Sequence, residues 1–217
     1  SLASHLSAKT TSALLEALNA DEKPRRQSAI DHLALRGAAV ALKALTRLLN
    51  EDKDLGLRCG AASALGHIGE TRSVPVLESH LREEVPLAYA CAQALCRIWG
   101  VQRLDELARV LKEGRLGHDT LHVFASQVAK LSHVTSLPDS LLQQARYWLT
   151  STDEYLKYFG IDVLGRVGAH DDVDRLSALV PEFRAQQPLE VWSSLKKLVF
   201  RHGPLFRDRM VDGFEPE

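Results

Sequence analysis

Apolar residues recur along this chain at steps of three and four. Val40, Leu42, Leu45, Leu48 and Leu49 mark one such stretch, and Leu104, Leu107, Val110 and Leu111 another. That step places them on one side of a helix and leaves the polar residues between them on the other. Read end to end, the pattern predicts twelve helices in six pairs. First members are predicted near 9–19, 38–50, 72–82, 101–113, 138–150 and 171–180. Second members are predicted near 24–36, 54–68, 86–99, 118–132, 153–167 and 189–202.

The punctuation between stretches agrees. Gly37, Gly69, Gly100, Gly168 and Gly203 follow second helices, where a left-handed cap favours glycine, and Ser132-His133 stands at that place in the fourth pair. The closing positions are spaced by 32, 31, 33, 35 and 35 residues. Pro24, Pro86, Pro138 and Pro188 stand at or near helix starts, where a missing N–H costs little. Thr152-Asp153 and Asp171-Asp172 read as an N-cap and first-turn acids.

A phrase also returns with this spacing. Its clearest copy is Gly60-Ala61-Ala62-Ser63-Ala64-Leu65-Gly66-His67-Ile68-Gly69, and others run from Ala90 to Trp99 and from Phe159 to Gly168. Self-similarity at this period is the mark of stacked helix pairs, none of which buries its apolar stripe alone. Asp54-Leu55-Gly56-Leu57-Arg58 with Ala61 to Gly69, followed by Thr71-Arg72-Ser73-Val74-Pro75-Val76-Leu77, resembles the HEAT-repeat family, in particular its short bacterial-type repeats of the phycobilin-lyase class. The resemblance covers residues 38–113 most fully and then 153–180. It implies an all-α fold: a right-handed α–α superhelix (solenoid) of about six pairs, whose second helices line a concave side. It implies no activity. On this reading residues 1–217 form one domain, with repeats over 8–203 and a tail at 204–217.

Composition narrows the function. The net charge is −1, with 12 Lys/Arg against 11 Asp/Glu in residues 1–100 and 15 against 17 in residues 101–217. A protein built to hold a phosphate backbone is usually clearly basic, so nucleic acid is a disfavoured partner. Cys59, Cys91 and Cys96 are odd in number, form no C-x-x-C and fall on predicted buried stripes. They read as reduced, packed thiols, which points to the cytoplasm. No apolar run approaches 18 residues, so no membrane span is expected. The opening Ser1 to His5 has neither Met nor a signal-peptide profile and reads as a processed end or part of something longer.

No enzyme motif is present. There is no Gly-rich phosphate loop, no G-x-S-x-G, no H-E-x-x-H, and no His followed by Glu. No cofactor is expected. His118 and His122 are spaced to share a helix face and so to hold a metal, but Asp119 is not well placed to complete a site, and no metal is expected.

Setting the second helices in register exposes two columns. One holds Leu35, His67, Arg97, Lys130, Arg166 and Arg201; the other holds Gln27, Cys59, Tyr89, His122, Tyr158 and Ser193. A stack of cations beside half-buried aromatics suits an acidic protein segment or a phosphate chain. The plainer reading is that cations suit exposed helix C-termini, that the tyrosines cover gaps between repeats, and that Asp162 pairs with Arg166 one turn away. Tyr147, Trp148, Tyr155, Tyr158 and Phe159 crowd the fifth pair, as core or as a contact patch.

The expectation is a non-enzymatic adaptor whose partner-binding residues are Tyr89, Gln93, Arg97, Lys130, Tyr158, Asp162 and Arg166. Two other classes stay open: a nucleic-acid binder, glycosylase-like or non-catalytic, and a chromophore lyase or chaperone of the kind the resemblance allows.

Overall fold

The chain is described from a computed structural model that covers residues 2–100, 103–112, 116–130, 137–183 and 197. These residues are helical throughout, joined by short turns. The helices are α1 (Leu2–Ala17), α2 (Lys23–Leu35), α3 (Leu42–Glu51), α4 (Leu55–Ile68), α5 (Val74–Ser79), α6 (Val85–Trp99), α7 (Leu104–Lys112), α8 (His118–Lys130), α9 (Asp139–Trp148), α10 (Glu154–Val167) and α11 (Asp172–Phe183). Short 3-10 turns at Ala39–Ala41 and Thr71–Ser73 lead into α3 and α5. The predicted helix at 189–202, the tail and Gly203 lie outside the described residues, apart from Lys197, which is helical and exposed.

These elements follow from local chemistry. Asp54 caps α4 by accepting from the Leu57 N–H, and Asp153 caps α10 by accepting from Tyr155 and Leu156. Pro24 and Pro86 occupy the first turns of α2 and α6, and Pro138 is the N-cap of α9. Gly37, Gly69 and Gly100 have φ of 57°, 75° and 52°. Gly168 differs from the sequence reading, since its φ is −61°. Glycine is needed there for closeness, because a Cβ would stand 2.4 Å from the Leu164 carbonyl oxygen. Two helix bounds also differ. α1 begins at Leu2, since no Gly or Pro precedes Thr10 to break it. α5 ends at Ser79, where the chain turns and His80 is buried.

The residues fall into two compact units, Ser1–Arg103 with Gly114–Phe124, and Leu104–Glu113 with Ala125–Glu217. In the first, α2, α4 and α6 pack side by side as a row of second helices. α1, α3 and α5 each pack on the second helix of their own pair. The core between them is Leu33, Leu45, Leu49, Leu57, Leu65, Leu77, Leu87 and Leu95, all fully buried, with Trp99 stacked on Phe124 at 6.0 Å. Alanine and glycine set the spacing of the row: a Cβ on Gly66 would lie 2.6 Å from the Ala94 Cα. In the second unit α9 packs against α7 and α10 around Leu141, Trp148, Ile161 and Leu164. Gly160 brings α10 onto α9, since its Cβ would meet the Ala145 carbonyl oxygen at 2.6 Å.

Polar ties join successive pairs within each unit. Arg26 of α2 pairs with Asp52 before α4, and Lys23 with Asp54 at 2.6 Å. Arg58 of α4 donates to the Leu49 carbonyl at 2.7 Å and to Glu83 at 2.8 Å. The buried His80 lies between Glu83 (2.5 Å) and Asn50 (2.8 Å). The His80 hydrogen bond, with Arg58 beside it, holds the Glu83 carboxyl below the usual carboxylate range. In the second unit Arg146 grips Asp172 with two hydrogen bonds of 2.7 and 2.8 Å.

Candidate functional site

Tyr89, Gln93 and Arg97 stand on α6 at four-residue steps, so they share one face. That face turns away from the core. Tyr89 is 43% exposed, Gln93 half-buried and Arg97 exposed, while Leu87, Ala88, Cys91, Ala92, Ala94 and Leu95 on the other side are buried. The same positions on α4 are Cys59, Ser63 and His67, and on α2 they are Gln27, Asp31 and Leu35.

The row α2–α4–α6 therefore presents a continuous surface in the first unit. Its middle is low, because α4 offers only Gly56, Cys59, Gly60 and Ser63 before His67. The Gln27 amide lies over Gly60, 3.1 Å from where a Cβ would be. Tyr89, Gln93 and Arg97 of α6 flank α4 on one side and Asp31 and Leu35 of α2 on the other. Leu35 is 83% exposed, an apolar side chain at the end of the column that otherwise holds His67 and Arg97. The His67 ring is fixed by a 2.9 Å contact between Nδ1 and the Ser63 carbonyl.

In the second unit Tyr158, Asp162 and Arg166 share one face of α10 and are all half-buried. Arg166 is bound to Asp162 by Nη2–Oδ2 at 2.6 Å and Nε–Oδ1 at 3.1 Å. The ion-pair reading of Asp162 is thus what the fold contains, and the Arg166 charge is met within its own helix. Lys130 is the last residue of α8, and its side chain lies outside the described residues, as does Arg201. The aromatic cluster divides. Trp148 is 1% exposed and belongs to the core, whereas Tyr147 and Tyr155 are 69% and 66% exposed.

Cys59, Cys91 and Cys96 form no disulfide. Cys91 and Cys96 are buried and Cys59 is half-buried. Burial pushes the Cys91 thiol up to about 12, which leaves it protonated and unreactive. Among the described residues no helix is long and apolar enough to cross a membrane. Sequence reasoning did not foresee a cleft of about 500 Å³ between the α1–α2 turn and α3, where Asp21, Arg26, Arg47, Glu51 and Asp52 meet. Its walls come from two different pairs, so no local pattern signals it.

No curated protein matches the chain in sequence. Among solved structures the chain is similar to the complex of CpcE and CpcF of phycocyanin lyase from Nostoc sp. PCC7120, at 16% identity, covering 87% of this chain and 94% of that one, with a TM-score of 0.42. The family model for HEAT repeats matches residues 11–96, the stretch that holds the end of α1, all of α2 to α5 and most of α6. Residues 11–96, less than half of the chain, thus match HEAT repeats, in keeping with the row of second helices α2–α4–α6.

Proposed function

We propose that the chain is a non-enzymatic adaptor of the cytoplasm that holds a protein partner on the exposed face of its second helices. The observation that carries this is the α6 face, where Tyr89, Gln93 and Arg97 are presented together over a low α4 surface. An aromatic ring and a guanidinium side by side are the residue types that most often dominate protein interfaces. The small α4 residues beside them would let a chain segment approach closely, and the exposed Leu35 and Tyr89 would give it apolar contact. Arg97 has no ion pair among the described residues, so an acidic group of the partner would meet an uncompensated charge. A surface built on packed helices is already formed, so binding orders little of the protein. Tyr158, Asp162, Arg166 and Lys130 belong to this reading as a second contact region on α10 and α8. There the tyrosine is the main contributor, because Arg166 is occupied by Asp162. Buried reduced thiols support the compartment, and the near-neutral charge supports protein over nucleic acid.

The test is a pull-down from native lysate with the wild-type chain and with Tyr89→Ala/Arg97→Glu, the captured material being assayed for protein and for nucleic acid. Each hot-spot residue of this kind is worth about 2 kcal/mol, so the double variant should lose its partner almost completely. A protein held by the wild type and lost by the variant is the expected result. Nucleic acid lost in the same way would replace this reading with the nucleic-acid one. Identical capture by both baits would remove the α6 face from the account.

A further inference from the structure

The first two turns of α8 carry two imidazoles that the α2–α4–α6 face does not use. We propose that His118 and His122 form a binding site for a borderline divalent cation, for which Zn²⁺ is the reference ion. Residues four apart on a helix project from the same side, one turn above the other. The two ring centroids lie 4.0 Å apart with their planes inclined by 51°. A nitrogen of one ring is within 4.8 Å of a nitrogen of the other. Zinc takes imidazole nitrogens at about 2.0–2.1 Å, which sets two tetrahedral ligands ~3.3 Å apart. Closing that gap asks only for small side-chain rotations, and His118 is 63% exposed and has the room to make them. Asp119 Oδ1 lies 3.6 Å from His118 Nδ1. That carboxylate adds negative charge beside the ring, which favours a bound cation. Two imidazoles select zinc, copper or nickel over magnesium or calcium, which favour oxygen ligands.

Calorimetric titration of Zn²⁺ into the full chain, with Mg²⁺ as control, tests the site. The wild type should bind one equivalent of zinc, and His118→Asn and His122→Asn should each weaken it by at least about tenfold, that is about 1.4 kcal/mol. Magnesium should give no binding heat. Far-UV circular dichroism separates loss of a ligand from loss of α8, and the exposed His118→Asn variant decides if His122→Asn unfolds. Absence of zinc binding by the wild type, or undiminished binding in both variants, would overturn the proposal; the latter would place the ion on other histidines or thiols.

Discussion

Asp172 shows how much one side chain can carry. It is fully buried, which pushes its carboxyl up, but the hydrogen bonds from Arg146 and the Ala169 N–H, with Arg175 nearby, hold it below the usual carboxylate range. A carboxyl whose folded pKa lies below its unfolded value of about 3.9 stabilises the fold above that value and loses the contribution as pH falls through the folded pKa. The wild type should therefore keep this contribution from pH 5 to 8 and lose it only in stronger acid. Arg146→Gln leaves the buried carboxylate with the Ala169 N–H and with Arg175, at 3.3 Å and half exposed, as its remaining cation. Its cost at pH 7.5 should be about 3 kcal/mol. The sign of the pH dependence reverses, because a carboxyl with a raised folded pKa is tolerated when neutral and destabilises as pH rises. Urea unfolding at pH 5 and 7.5 should show the smaller loss at pH 5. An equal loss at both would mean that the Arg146–Asp172 pair contributes nothing through charge.

Two glycines one and a half turns apart on α4 make opposite predictions. Gly66→Ala drives a methyl into the Ala94 backbone of α6, where neither side gives way, and should destabilise by about 2 kcal/mol. Gly60→Ala meets only the far end of the flexible Gln27 side chain, and should be neutral or stabilise by up to about 0.5–1 kcal/mol through helix propensity. Thermal melts of the two variants check the pair; a Gly66→Ala protein as stable as Gly60→Ala would refute the close approach.

Elements were far more legible in the sequence than contacts. The 3.6-residue period, the prolines in the first turns and the glycines at the ends placed every described helix within a few residues, apart from the early start of α1 and the early end of α5. Those cues are local, and a helix is a local structure. Gly168 misled because the same residue serves two needs: a positive φ at Gly37, Gly69 and Gly100, and a close approach at Gly168. The ties of Arg58 to Glu83, His80 to Asn50 and Arg146 to Asp172 span 25 to 30 residues and depend on which turn meets which. Spacing in one helix cannot report that. For the candidate site, four-residue spacing correctly put Tyr89, Gln93 and Arg97 on one face. The stack of cations was legible only as a list of residue types, and Asp162 shows why: a neighbour one turn away had already claimed Arg166. Likewise, two adjacent aromatics had to divide between core and solvent, and only the packing of α9 made Trp148 the buried one.

For the whole molecule, the row α2–α4–α6 explains both the repeat and the surface. Burying Leu, Ala and Gly on one side of each second helix fixes the helices close together, and what remains outward is set by residues that packing does not constrain. These residues differ from repeat to repeat: Gln27, Asp31 and Leu35, then Cys59, Ser63 and His67, then Tyr89, Gln93 and Arg97. A regular scaffold with a varied face is how repeat proteins acquire partners. The most direct measurement is site-specific photo-crosslinking in cells, with a benzophenone amino acid at Gln93 and, separately, at Lys43, an exposed position on the first helix α3. The account predicts a discrete protein adduct from position 93 and none from position 43. An adduct from 43 alone would contradict it, because the partner would then sit on the first helices.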